Sequence, residues 1–270
     1  MERQVVAPVH RPSRRPAPWP VAFYRSAVGK KWVMALTGIM LMGYVFAHMV
    51  GNLKLYLGAE DINHYGEFLR DLLVPLLPRT VTLWLLRLGL IAAFVFHIHA
   101  AAGLTLVNRR ARAEGGYVSK RDYQAANAAS RSMRLTGVVV LLFLVWHLAD
   151  LTWGTVNPGF VRGDVYRNLV ASFERPGVSA IYIVANVALG IHLFHGGWSM
   201  FQSLGLNNPR WNAWRRGFAA GFAGIVMVGN LSFPVAVLTG LVSADDNPDC
   251  RVTGDTIDTC ELYAEGGENQ

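Results

Sequence analysis

The sequence predicts an all-α integral membrane protein, five transmembrane helices in one bundle with histidine-ligated centres between them, on three observations. Hydrophobic residues make up 52% of the 270-residue chain and charged residues only 16%, which is too apolar for an ordinary soluble domain. Five apolar stretches are each long enough to cross a hydrocarbon layer of ~30 Å as a helix. The basic residues behind the net charge of +7 gather at the ends of these stretches rather than along one face, a pattern of topology and not of nucleic-acid binding.

Residues 1–22 are rich in Pro and Arg and read as an extended or disordered arm, because prolines cannot continue a regular helix. Arg14-Arg15 is not followed by a short apolar region with a cleavage site, so no cleavable signal is expected. The membrane domain then covers 23–242, with spans at 32–53, 80–107, 135–153, 179–201 and 217–241. Gly51-Asn52 breaks the end of the first span. Between the first two spans, Ile62, Tyr65, Phe68 and Leu69 suggest a short interfacial helix closed by Pro75 and Pro78. The 108–134 link is polar, and 154–177 carries the turn signals Asn157-Pro158-Gly159 and Arg175-Pro176-Gly177. An acidic tail, 243–270, ends the chain.

Orientation follows from the basic residues. The N-terminal arm through Lys31 carries seven Lys or Arg, the link after the second span seven, and the link after the fourth three. The links on the other face carry three each, and the tail has one Arg against eight Asp or Glu. The N-terminus and those basic links are therefore expected in the cytoplasm, and the tail outside.

Histidines inside these spans are expensive unless they have a task. With a rise of ~1.5 Å per residue, His48 and His147 fall past the middle of outward-running spans by roughly 5 to 8 Å, in the outer half. His97, His99, His192 and His195 fall in the inner half. Two pairs at two depths match the requirement of two stacked b-type haems, each taking one imidazole from either side. His97 and His99 point roughly 200° apart, so only one of them faces such a group. His192 and His195 share a face. His10 and His64 read as solvent or interface residues. A proton relay would also use buried histidines, but would add mid-membrane acids; spans one, two, four and five have none, and Asp150 lies near the end of the third.

Several segments resemble the five-helix, single-polypeptide cytochrome b membrane anchor of succinate dehydrogenase and fumarate reductase. They are Lys31-Trp32-Val33-Met34-Ala35-Leu36-Thr37-Gly38, His48-Met49-Val50-Gly51-Asn52-Leu53, Phe96-His97, the run from Gly103 to Arg112, His147-Leu148, and His192-Leu193-Phe194-His195-Gly196 leading to Asn207. The similarity covers roughly residues 24 to 240. It implies that His97 and His192 hold an inner haem b and His48 and His147 an outer one, with His99 and His195 secondary. It also implies cytoplasmic partners, a flavoprotein oxidising succinate and an iron–sulfur protein passing electrons to this anchor, and quinone as the electron acceptor or donor. The chain itself has no Rossmann-type glycine fingerprint for a flavin.

A quinone needs an apolar slot and polar groups at its carbonyls. Ser26, Lys30 and Lys31 are candidates at the cytoplasmic side, against a reading of the lysines as snorkelling anchors. Tyr65 and Glu67 are candidates at the outer side, against a plain solvated helix. Arg87, inside the outer end of the second span, is expected to pair with a haem propionate or to snorkel. Cys250 and Cys260 are expected outside, where a disulfide is the leading reading. Two cysteines with two histidines would alternatively fit a Rieske-type [2Fe–2S] centre displacing one haem, although Cys-x-His motifs are absent. Two alternatives stay open: the haem-bearing anchor of a hydrogenase or formate dehydrogenase, and a transporter or proton channel using a histidine relay.

Overall fold

The computed structural model describes residues 17–113, 128–206 and 208–244; His10, Cys250 and Cys260 lie outside them. Eight α-helices run in the order α1 (Trp19–Arg25), α2 (Ala27–Asn52), α3 (Ala59–Arg70), α4 (Val81–Ala113), α5 (Ala128–Leu151), α6 (Val165–Phe173), α7 (Pro176–Ser203) and α8 (Asn212–Leu238), and the described residues contain no strand. Among the described residues five helices, α2, α4, α5, α7 and α8, are long and apolar enough to cross a membrane. The protein is all-α and multi-pass, as expected from hydropathy.

The ends differ from the expectation for physical reasons. α1 begins at Trp19, inside the stretch expected to be extended, because Pro20 sits in the first turn, where its missing N–H costs nothing. A sharp corner follows. Ser26 caps α2: its hydroxyl donates to the Phe23 carbonyl (2.6 Å) and accepts from the Gly29 amide (2.9 Å). α4 runs on to Ala113 and α5 starts at Ala128, beyond the apolar stretches, since residues such as Ala and Arg continue a helix after hydropathy has stopped. Gly51 lies within α2 rather than breaking it. A Cβ there would stand 2.6 Å from Cε1 of Tyr65, so the glycine admits the Tyr65 ring.

The link at 154–177, marked in the sequence by two turn signals, contains the helix α6. Asp164 caps it by accepting from the Arg167 amide at 2.9 Å. α3 and α6 are joined by Asn63, whose side chain accepts from the Val165 and Tyr166 amides and donates to Asp164. Together with the ends of α7 and α8 they bury Leu55, Ile62, Tyr166, Leu169, Phe173 and Phe233. A second cluster, Met42, Leu193, Ala223 and Val226, joins α2, α7 and α8 midway.

α2 packs mainly against α4 and also touches α7 and α8, while α7 packs against α8 and α5. The bundle is thus two helix pairs, α2 with α4 and α5 with α7, placed back to back and buttressed by α8. α4 turns Trp84, Leu85, Leu88, Ile91 and Val95 outward, a face suited to lipid.

Candidate metal centres

His97 on α4 and His192 on α7 are held in the same way. The Nδ1 atom of His97 lies 3.2 Å from the Thr37 hydroxyl on α2, and that of His192 lies 3.3 Å from the Thr136 hydroxyl on α5. Each threonine has a single proton, and each directs it to its own helix: Thr37 donates to the Val33 carbonyl at 2.6 Å, and Thr136 to the Ser132 and Met133 carbonyls at 3.0 and 3.1 Å. The hydroxyl oxygens therefore accept from the imidazoles, the proton sits on Nδ1, and Nε2 keeps its lone pair. The backbones of Met34 and Met133 also serve as acceptors for the two imidazoles, and the charge of His97 bears on His192. A Cβ at Gly137 would crowd Cε1 of His192 at 3.3 Å, whereas one at Gly38 would make ordinary contact with Cε1 of His97 at 3.5 Å.

His48 on α2 and His147 on α5 form the second pair, with ring centres 5.9 Å apart and planes at 84°. A metal bound by two imidazole nitrogens at about 2 Å each sets ring centres roughly 6 Å apart. Nδ1 of His147 lies 3.4 Å from the Tyr182 hydroxyl, which itself donates to Asp150 at 2.8 Å. Asp150 is fully buried and also accepts from Ser172 and from Arg175, the latter at 2.6 Å. The chain of donors again places the His147 proton on Nδ1. The Asn52 amide donates to Nε2 of His48 at 3.3 Å, so this nitrogen too carries a lone pair, which a metal would take in place of Asn52. Tyr44 stacks on His48 at 5.5 Å.

The two pairs sit at different levels. Thr37, level with the first pair, and His48, in the second, are eleven residues apart on α2, or about 16 Å by helical rise. Among the described residues no three of His, Cys, Asp and Glu converge on a metal position. The donor set is pairs of neutral imidazoles, which would suit a group whose macrocycle supplies the remaining ligands.

The other candidates lie as follows. His99 points away from the first pair, stacking on Tyr24 of α1 and hydrogen-bonding its hydroxyl. His195 is buried against Phe194. Arg87 is exposed over the Trp84 ring and near enough to Tyr44 to act on its charge. Ser26 is the α2 cap, Lys30 donates to the Arg25 carbonyl at 2.8 Å, and Lys31 is exposed. Glu67 is ion-paired with Arg70 and Arg79, and Tyr65 fills the notch at Gly51. Both cysteines, and with them the [2Fe–2S] reading, fall outside the described residues.

Sequence reasoning missed Thr37, Thr136, Tyr44 and Tyr182. For the threonines a signal exists: Met34-Ala35-Leu36-Thr37-Gly38 and Met133-Arg134-Leu135-Thr136-Gly137 repeat one pattern, and His48 and His147 each follow their threonine by eleven residues.

Residues 117–231 match the model of the succinate dehydrogenase/fumarate reductase transmembrane subunit. The match covers 115 of the 270 residues, less than half of the chain. The matched residues include His147 and His192, whereas His48 and His97 precede them. Among relatives, the succinate dehydrogenase cytochrome b558 subunit of Bacillus subtilis (strain 168) is 24% identical over 178 residues, 65% of this chain and 80% of that protein. No solved structure matches the chain.

Proposed function

We propose that this chain is the membrane anchor and electron-transfer subunit of a succinate:quinone oxidoreductase, linking a cytoplasmic iron–sulfur subunit, itself served by a flavoprotein subunit, to quinone in the membrane. The observation that carries the reading is the presence of two imidazole pairs at two levels of one bundle, each histidine left with a lone pair on Nε2. His97 and His192 hold the inner haem b, and His48 and His147 the outer one. A haem held between two imidazoles supplies a one-electron iron couple in a site without an open coordination position.

The chain's own residues orient these ligands, exclude water and bind quinone. Thr37, Thr136 and Tyr182 hold Nδ1–H groups, and Arg87, beside Tyr44, supplies a cation for a propionate of the outer haem. Lys30 and Lys31 at the start of α2, near Ser26, offer hydrogen-bond donors to a quinone carbonyl on the cytoplasmic side. Tyr65 with Glu67 offers an outer counterpart. Arg109 and Arg110 are exposed at the end of α4 and mark the face for the soluble partners, consistent with a cytoplasmic N-terminus.

The test is a reduced-minus-oxidised spectrum of the purified complex with haem, iron and acid-labile sulfide counted per chain. Two haems b are expected. Absence of a haem band would overturn the assignment, and a single haem with additional sulfide assigned to this chain would replace one pair by an iron–sulfur centre. His97→Ala or His192→Ala should abolish quinone reduction while succinate oxidation by artificial dyes continues in the partner subunits.

A further inference from the structure

We infer that Thr37 and Thr136 are matched positioning residues of the inner centre, whose hydroxyls fix Nε2 of His97 and His192 as the ligating nitrogens and lower the potential of the group held between them. The inference rests on the reading of those histidines as axial ligands.

The two threonines occupy equivalent places in the repeated Met-x-Leu-Thr-Gly pattern. Each stands on the first helix of a pair and reaches a histidine on the second, Thr37 from α2 to α4 and Thr136 from α5 to α7. Both halves of the bundle thus present the same device to the space between them. Each hydroxyl has already committed its proton to a carbonyl of the preceding turn, so it offers the imidazole only an oxygen lone pair. An acceptor on Nδ1–H makes the opposite nitrogen a stronger donor. A stronger donor stabilises the more positive, oxidised iron and lowers the potential. Thr37 is buried and Thr136 more so, so each hydroxyl acts in a site of low polarity, beside the backbone of Met34 or Met133. The second pair lacks this device: His147 is served by Tyr182 and Asp150, and His48 stands eleven residues along α2 from Thr37.

Valine keeps the shape of threonine and removes the acceptor, while serine keeps the acceptor and removes a methyl group. In the intact complex, Thr37→Val and Thr136→Val should retain both haems, raise the midpoint potential of the component that His97→Ala abolishes, and change its low-spin electron paramagnetic resonance signal. The double valine variant should shift it further, and Thr37→Ser and Thr136→Ser should restore the wild-type values. Valine variants with both haems, unchanged potential and unchanged resonance would overturn the inference. Loss of the inner haem in the valine variants with retention in the serine variants would support it, because the hydroxyl is then required for assembly. Loss in both would overturn it in favour of packing. Failure of the underlying reading looks different: His97→Ala and His192→Ala would then keep both haems.

Discussion

The phenol of Tyr182 stands between His147 and Asp150, 3.4 Å from Nδ1 of the imidazole and 2.8 Å from a carboxylate oxygen. One hydroxyl therefore ties an imidazole of the His48–His147 pair to the only acidic side chain buried among the described residues. Tyr182→Phe leaves Asp150 one donor short and frees the His147 ring. A buried acceptor losing a partner costs about 1–3 kcal/mol. The expected outcome is a lower melting temperature of the complex in detergent together with a shift of the outer haem component in a redox titration. A shift confined to the inner component would contradict this geometry.

Asp150 keeps its charge in the interior through Arg175 at 2.6 Å, with Ser172 and Tyr182 as further donors. Removing the cation alone strands a carboxylate, which typically costs about 3–5 kcal/mol. Arg175→Ala should therefore destabilise the chain more than the paired change Asp150→Asn with Arg175→Gln, which leaves no unbalanced charge. Thermal unfolding of the three proteins, followed by release of haem, ranks them.

The spans were legible because about 20 consecutive apolar residues have few other uses in a sequence, and the four histidines stand out because ionisable groups at that depth need a reason. Helical rise alone separates them into two levels. Several features escaped. α6 is only nine residues long and lies between two turn signals, so its period was too short to outweigh them. The roles of His97 and His99 differ by which neighbour each meets, Thr37 on α2 or Tyr24 on α1, and that contact is tertiary. Asp150 looked like a helix-end acid because its partners Arg175 and Tyr182 come from a later helix and its cap.

Gly51 illustrates a residue whose reason is a neighbour rather than a turn. Any Cβ at that position would stand 2.6 Å from Cε1 and 2.9 Å from the hydroxyl of Tyr65. Gly51→Ala should push α3 away from α2 at a cost of about 1–3 kcal/mol for overpacking. The partner change Tyr65→Leu should recover part of that loss. Melting temperatures of the single and double variants decide it: additive losses would mean that the two residues do not meet.

Ser26 separates a structural from a ligand-binding role at the corner between α1 and α2. Its hydroxyl donates to the Phe23 carbonyl and accepts from the Gly29 amide, so its proton is already engaged in holding α1 against the start of α2. Lys31 on the next turn is exposed and keeps its three donors for a ligand. Ser26→Ala should lose about 1 kcal/mol, the ordinary cost of removing a cap, with little change in the KM for quinone once the assay temperature is kept below the lowered melting point. Lys31→Ala should raise that KM with little change in stability. Steady-state quinone reduction beside thermal melts of both variants reads the difference, and a raised KM in Ser26→Ala with Lys31→Ala unaffected would move the inner quinone contact from the lysine to the cap.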